Sequence, residues 1–182
     1  AQLGFVIADD TRAAITELAP SLVKISAERI QVELVKLLMS KHPDYMRDAY
    51  QLGITKIVLP ELDEAFLTEQ NNPHHMYTVG EHMMQTLLHT EADKSLRIAA
   101  LLHDIGRHVQ YETGEKHAFV SARLAPEILR DCGFEEDEIA EIVDAIYHHS
   151  DKKEIGDKGL RTLIAKADRM SRACFACQAA EE

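Results

Sequence analysis

Two histidines and two aspartates interrupt stretches that are otherwise apolar, and together their side chains could hold a divalent metal ion. His82 lies beside Val79, Met83 and Leu87 at helical spacing. His103 extends the stripe Leu96, Ala99 and Ala100, Asp104 follows it directly, and Asp168 shares a face with Leu160, Ile164 and Ser171. A carboxylate on a buried face is costly unless a counter-charge or a metal compensates it. Mixed nitrogen and oxygen donors, two of them anionic, suit Mn²⁺, Fe²⁺, Co²⁺ or Zn²⁺ rather than a soft-metal ion. Such a set leaves coordination positions for water and substrate, as Lewis-acid activation and formation of a hydroxide nucleophile require. A buried His–Asp hydrogen-bonded pair is the plainer alternative for His103, Asp104 and Asp168, and the metal reading is preferred. His42, His74, His75, His89 and His108 are read as ordinary core or surface histidines. His89 shares a face with His82 but stands about 10 Å further along the helix, too far for one ion.

The elements that must position these residues are helical almost everywhere. A first helix spans 10–19 and stops at Pro20. Ser26 is the candidate N-cap of a second helix, through residue 40. Pro43 opens a third that ends at Gly53. Residues 59–62 are a break, 54–59 a possible short extended piece, and 70–73 a polar turn. Further helices are predicted near 78–91, 93–105, 116–131, 135–149 and 159–176, with Gly106 and Gly133 at C-cap positions. The helix 93–105 is apolar nearly all round and should be central. The expected fold class is all-α.

The whole chain of 182 residues fits one domain, or one domain plus a small appendage. Its net charge of −11 disfavours broad, sequence-blind nucleic-acid binding, which draws its affinity from Lys and Arg. Lys24, Arg29, Lys36, Lys41 and Arg47 are scattered over different helix faces, a solvated surface first and an RNA footprint second. No apolar run is long enough to span a bilayer. The N-terminus lacks a signal peptide, and three cysteines argue for a reducing cytoplasm. Cys174 and Cys177 are read as an ordinary structural pair, and Glu135 to Glu138 as an acidic first turn favoured by the helix dipole. The start without Met, apparently inside a helix, reads as a fragment or a cut chain.

The motif residues Ala100 to Gly106 (ALLHDIG) and Lys166 to Asp168 (KAD) resemble the HD superfamily of metal-dependent phosphohydrolases, whose signature is a His, a His-Asp pair and a distant Asp. Residues 1 to about 102 (LGFVI, LAPSLVKISAERIQVELVKLL, LPEL, NPHHMYTVGEH) are similar to the region that follows the catalytic head of CCA-adding tRNA nucleotidyltransferases. Residues 103–182 (HDIGRHVQYETGEKHAFVSARLAPEIL, KADRMSRACFAC) look instead like small stand-alone HD hydrolases. A fusion, a recombined gene or an engineered chimera would each account for that switch.

The resemblance implies an HD-domain helical bundle at 63–182 with a small helical N-terminal appendage at 1–62. It implies a divalent ion (Mn, Fe, Co, Ni, Zn or Mg) on His82, His103, Asp104 and Asp168, with Asp104 also catalytic. Two-metal branches of the superfamily draw extra histidines from the regions of His117 and His149, so these are candidate second-metal ligands or phosphate contacts. Solvent-facing helix-end histidines are the alternative. Arg107 stands where the superfamily often carries Lys and could fork onto a substrate phosphate, with a surface salt bridge as the alternative. The implied activity is hydrolysis of nucleotides or other phosphate mono- or diesters, including 2′,3′-cyclic phosphates, with weak tRNA binding at most. The rival is a non-catalytic tRNA-binding body. The nucleotidyltransferase head is absent from these residues, so CCA addition is not expected of them.

Overall fold

A computed structural model describes residues 4–70, 77–151 and 159–172, and its regular structure among these is entirely helical. The N-terminal part comprises α1 (Asp9–Leu18), α2 (Ala27–Leu38), α3 (Met46–Gln51), α4 (Thr55–Val58) and α5 (Pro60–Leu67). The rest comprises α6 (Val79–Leu88), α7 (Lys94–Leu102), α8 (Arg107–Thr113), α9 (His117–Asp131), α10 (Glu136–His148) and α11 (Leu160–Met170). His74, His75, Cys174 and Cys177 lie outside the described residues.

Helix α7 forms the axle. Asp93 Oδ1 caps it by accepting from the Leu96 N–H at 2.9 Å. Leu96, Ile98, Ala99, Ala100, Leu101 and Leu102 are then all buried, against α2, α6, α10 and α11. Each large aliphatic side chain withdrawn from water here contributes about 1.5–3 kcal/mol. The small Ala99 and Ala100 let the neighbouring helices approach. Thr78 caps α6 by accepting from the Glu81 N–H at 3.2 Å. A reciprocal capping box between Glu135 and Glu138 starts α10, so the acidic run does more than favour the dipole.

Two arginines tie the N-terminal helices to this bundle. Arg97, on α7 and 7% exposed, donates to the backbone carbonyls of Leu38 and Ser40 at the end of α2 and to that of Glu91. A cation there satisfies carbonyls that the helix end leaves unpaired. Arg47 donates to both carboxylate oxygens of Glu81, at 2.7 and 2.5 Å, and to Asp44 at 3.2 Å. It is therefore committed to an internal strut rather than to a solvated basic surface. Lys36 is paired with Glu33 at 2.7 Å.

The structure departs from the sequence expectations at several places. Pro20 does not stop the chain's helical course: Ala19–Lys24 continues as a 3₁₀ helix with Pro20 in its first turn, where a missing N–H costs nothing. Residues 54–59 are not extended. The Val58 N–H bonds to Ile54 O at 3.1 Å, and the buried Thr55 hydroxyl donates to Asp63 of α5 at 2.8 Å. β-branched residues favour extension only beside a strand, and helices surround this stretch. The expected break at 59–62 shrinks to Leu59, because Pro60 opens α5.

Helix α8 was not anticipated. Gly106, expected as a C-cap, is its N-cap with φ −90°. Close approach explains the glycine: a Cβ would meet Val120 Cγ1 at 2.6 Å and the Ser121 backbone nitrogen at 2.7 Å. Gly133 does take the left-handed conformation, φ +74°, just past α9.

Candidate metal centre

Six elements contribute to one buried cluster. His82 comes from α6, His103 and Asp104 from the turn that ends α7, and Arg107 from the start of α8. His117 begins α9, His149 is the C-cap of α10, and Asp168 lies on α11. His82, His103, Asp104, His149 and Asp168 are 1%, 0%, 0%, 3% and 3% exposed, whereas the His117 and Arg107 side chains each keep 15%. Approach from solvent is therefore along the α8–α9 side.

Asp104 turns one oxygen to each of two histidine pairs. Its Oδ2 lies 3.7 Å from His82 Nε2 and 3.8 Å from His103 Nε2, which are 3.4 Å apart. Its Oδ1 lies 3.3 Å from His117 Nε2 and 3.6 Å from His149 Nε2, which are 3.3 Å apart. Asp168 Oδ1 adds to the first group, 2.9 Å from His82 Nε2 and 4.0 Å from His103 Nε2. Metal–ligand bonds of about 2.0–2.2 Å place neighbouring donors roughly 2.8–3.6 Å apart. The His117 group lies within that range and the His82 group is a few tenths of an ångström wider, so both fit a divalent ion.

The outward ring nitrogens explain why every Nε2 faces inward. His103 Nδ1 donates to Ala100 O at 2.9 Å and His149 Nδ1 to Ile146 O at 2.6 Å, carbonyls freed at helix ends. His117 Nδ1 is 2.7 Å from Gln110 Oε1. The Ser171 hydroxyl donates to Asp168 O at 2.6 Å and stands 3.1 Å from His82 Nδ1, so its oxygen accepts the ring proton. That tautomer sets the His82 Nε2 lone pair against Asp168 Oδ1, which only a second ring proton or a metal cation makes favourable. Anchoring the far nitrogen in this way is how ligand histidines are usually oriented.

Burial pushes His103 down to about 3 and His117 down to about 4, keeping both imidazoles neutral, the form that ligates metal. Burial acts to raise the Asp104 carboxyl, but Arg107 and the neighbouring histidines hold it well below the usual range. Asp168 is likewise lowered against burial, chiefly by the His82 ring 2.9 Å away, with His103 adding to it. Burial opposes protonation of His149, yet the Asp104 carboxylate 3.6 Å away raises it overall.

Arg107 turns inward onto the Asp104 carboxylate rather than forming a surface salt bridge. Its Nε and Nη2 donate to Asp104 Oδ2 at 2.9 and 2.8 Å. Sequence reasoning missed three supporting groups: Ser171, Gln110 and Arg172, which donates to Asp168 Oδ2 at 2.6 Å. Arg172 was signalled by its position four residues after Asp168, and Ser171 by interrupting the same apolar stripe. His42 stacks on Tyr45, and the His89 Nδ1 turns back to Gln85 O; neither joins the cluster.

Residues 74–173, more than half of the chain, match the model of the HD domain. Residues 4–66 match the model described as "Probable RNA and SrmB-binding site of polymerase A". An "Uncharacterized protein" of Clostridium beijerinckii is 39% identical over 83 residues, 46% of this chain and 51% of that protein. The "Multifunctional CCA protein" of Ectopseudomonas mendocina is 30% identical over 186 residues, 92% of this chain and 44% of that protein. The "CC-adding tRNA nucleotidyltransferase" of Thermus thermophilus is 29% identical over 185 residues, 91% and 42% respectively. The chain thus spans about half or less of the length of these curated relatives.

Proposed function

The chain belongs to the HD-domain family, and from that premise we propose that it is a metal-dependent phosphohydrolase acting on nucleotides or other phosphate mono- or diesters. The observation that carries the proposal is the convergence of four Nε2 atoms and two carboxylates on one buried point. His82, His103, Asp104 and Asp168 would hold a divalent ion, with His117 and His149 beside it. When bound, such an ion polarises a phosphoryl oxygen and lowers the pKa of water from about 15.7 toward roughly 7. Asp104 and Asp168 are balanced by Arg107 and Arg172. Adding a divalent cation to that neutral set leaves net positive charge, which favours an anionic phosphoester. The exposed edges of His117 and Arg107 give the phosphate its route inward, while sealed helices exclude bulk water from His103. A cytoplasmic location and a catalytic part at 63–182 belong to the same proposal.

The test is elemental mass spectrometry of protein purified without added metal, followed by a phosphoester panel including 2′,3′-cyclic phosphates. The expected result is bound transition metal and hydrolysis that chelator abolishes and Mn²⁺ or Co²⁺ restores. Asp104→Ala should lose both. Metal content unchanged in that variant would sink the assignment.

A second reading is favoured by the match over residues 4–66 and by the CCA-type relatives: a tRNA-binding body without turnover. Metal bound with no hydrolysis on the panel, together with sub-micromolar, steeply salt-dependent tRNA binding on filters, would select it.

A further inference from the structure

We infer that the guanidinium of Arg107 occupies the second cation position of this cluster, so that the centre takes one divalent ion per chain rather than two. The inference rests on the metal-centre reading and concerns how many ions it holds. The two histidine pairs share Asp104, and each lies at distances that suit an ion, so the ligand atoms alone would allow two. Arg107 decides between them. Its Nη2 lies 3.2 Å from Asp104 Oδ1 and 3.4 Å from His117 Nε2, two of the three donors of the His117 group. The same Nη2 and the Nε hold Oδ2 at 2.8 and 2.9 Å.

The ring of His117 is already oriented for this partner. With Nδ1 toward Gln110 Oε1 at 2.7 Å, the Nε2 lone pair points at the arginine donor. A guanidinium is permanently charged and can only donate, so it satisfies the nitrogen and the carboxylate together. A second ion on Asp104 Oδ1 and His117 Nε2 would have to displace these hydrogen bonds and stand close to a buried positive charge. In the first group Arg107 holds a carboxylate oxygen, Asp104 Oδ2, which has lone pairs for a donor and a cation together, and Asp168 carries Arg172 on its other oxygen, Oδ2. In the second it stands against His117 Nε2, whose single lone pair cannot serve both. The asymmetry is therefore set by Arg107, at the first position of α8.

The experiment counts ions with Mn²⁺ as the probe. The full chain is equilibrated with excess Mn²⁺, desalted, and measured by elemental mass spectrometry and by electron paramagnetic resonance. Wild type is expected to carry one ion with the six-line spectrum of isolated Mn²⁺. Arg107→Met, which keeps the length and removes the charge, is expected to carry two, with an exchange-broadened spectrum. Its calorimetric titration should show a second site at least tenfold tighter than any in wild type. Arg107→Met combined with His149→Ala should return to one. Two tightly held ions in wild type would overturn the inference whatever the variants do, and leave the metal-centre reading intact. A folded Arg107→Met protein that stays at one ion would overturn it as well. Wild type holding no ion would instead remove the metal-centre reading beneath it.

Discussion

Removing one oxygen atom, in Ser171→Ala, tests whether the cluster is oriented from outside. The Ser171 hydroxyl is buried, donates to Asp168 O at 2.6 Å, and accepts from His82 Nδ1 at 3.1 Å. Alanine leaves that ring proton in a pocket without its acceptor, a penalty of about 1–3 kcal/mol. The ring can relieve this by moving its proton to Nε2, but then the lone pair needed for a metal is gone. Metal affinity should therefore fall by roughly 10–100-fold, the usual effect of losing an orienting partner, equivalent to about 1.4–2.8 kcal/mol. The assay is Co²⁺ or Mn²⁺ binding in competition with a chromophoric chelator, beside thermal melts of the metal-free protein. Ser171→Thr keeps the hydroxyl and should recover most of the affinity, which a purely structural role for the side chain would not require. Wild-type affinity in Ser171→Ala would refute the reasoning, since the orientation of His82 would then owe nothing to Ser171.

Three further outcomes follow from burial and close packing. In metal-free protein, the His103 and His117 imidazoles sit below their unfolded value, at about 3 and about 4. The unfolded chain therefore binds more protons below pH about 6.5, and stability should fall as pH drops from there toward 4, by on the order of 2 kcal/mol per group at pH 5. The raised His149 works in the opposite sense, so melts of His149→Ala should show a steeper acid dependence than wild type. Gly106→Ala should cost about 1–3 kcal/mol and lower Tm by several degrees, since its Cβ meets backbone as well as Val120. A melting curve unchanged from wild type would show that α9 yields freely there.

The long helices of the bundle were legible in the sequence because their apolar stripes run for three or four turns and end in recognisable caps: Asp93 before α7, Thr78 before α6, Gly133 after α9. The short ones were not. Helix α4 is a single turn in which Thr55, Ile57 and Val58 are β-branched and their propensity points elsewhere, and α8 hides behind a glycine that looked like a terminus. The site showed itself wherever a polar side chain broke a stripe, as His82, His103 and Asp168 do. Arg107 could be located but not understood, since a guanidinium next to a motif reads the same whether it faces solvent, a phosphate or its own carboxylate. Ser171 broke the stripe too, but nothing in the sequence pairs it with His82, and Gln110 carries no signature of its own; both roles come from helices being brought to hydrogen-bond range.

Arg97 has a bearing on how such a chain can be divided and inherited. Its guanidinium is sealed between α7 and the end of α2, so two of the three carbonyls that neutralise it belong to the N-terminal helices. Excising those helices would strip Arg97 of two carbonyl acceptors and uncover the part of α7 that α2 packs against, on the very helix that delivers His103 and Asp104. The region similar to RNA-binding modules is thus part of the footing of the His–Asp cluster. Exchanging it between relatives would succeed only where the incoming segment ends its second helix with two carbonyls in the same place, or where Arg97 changes with it.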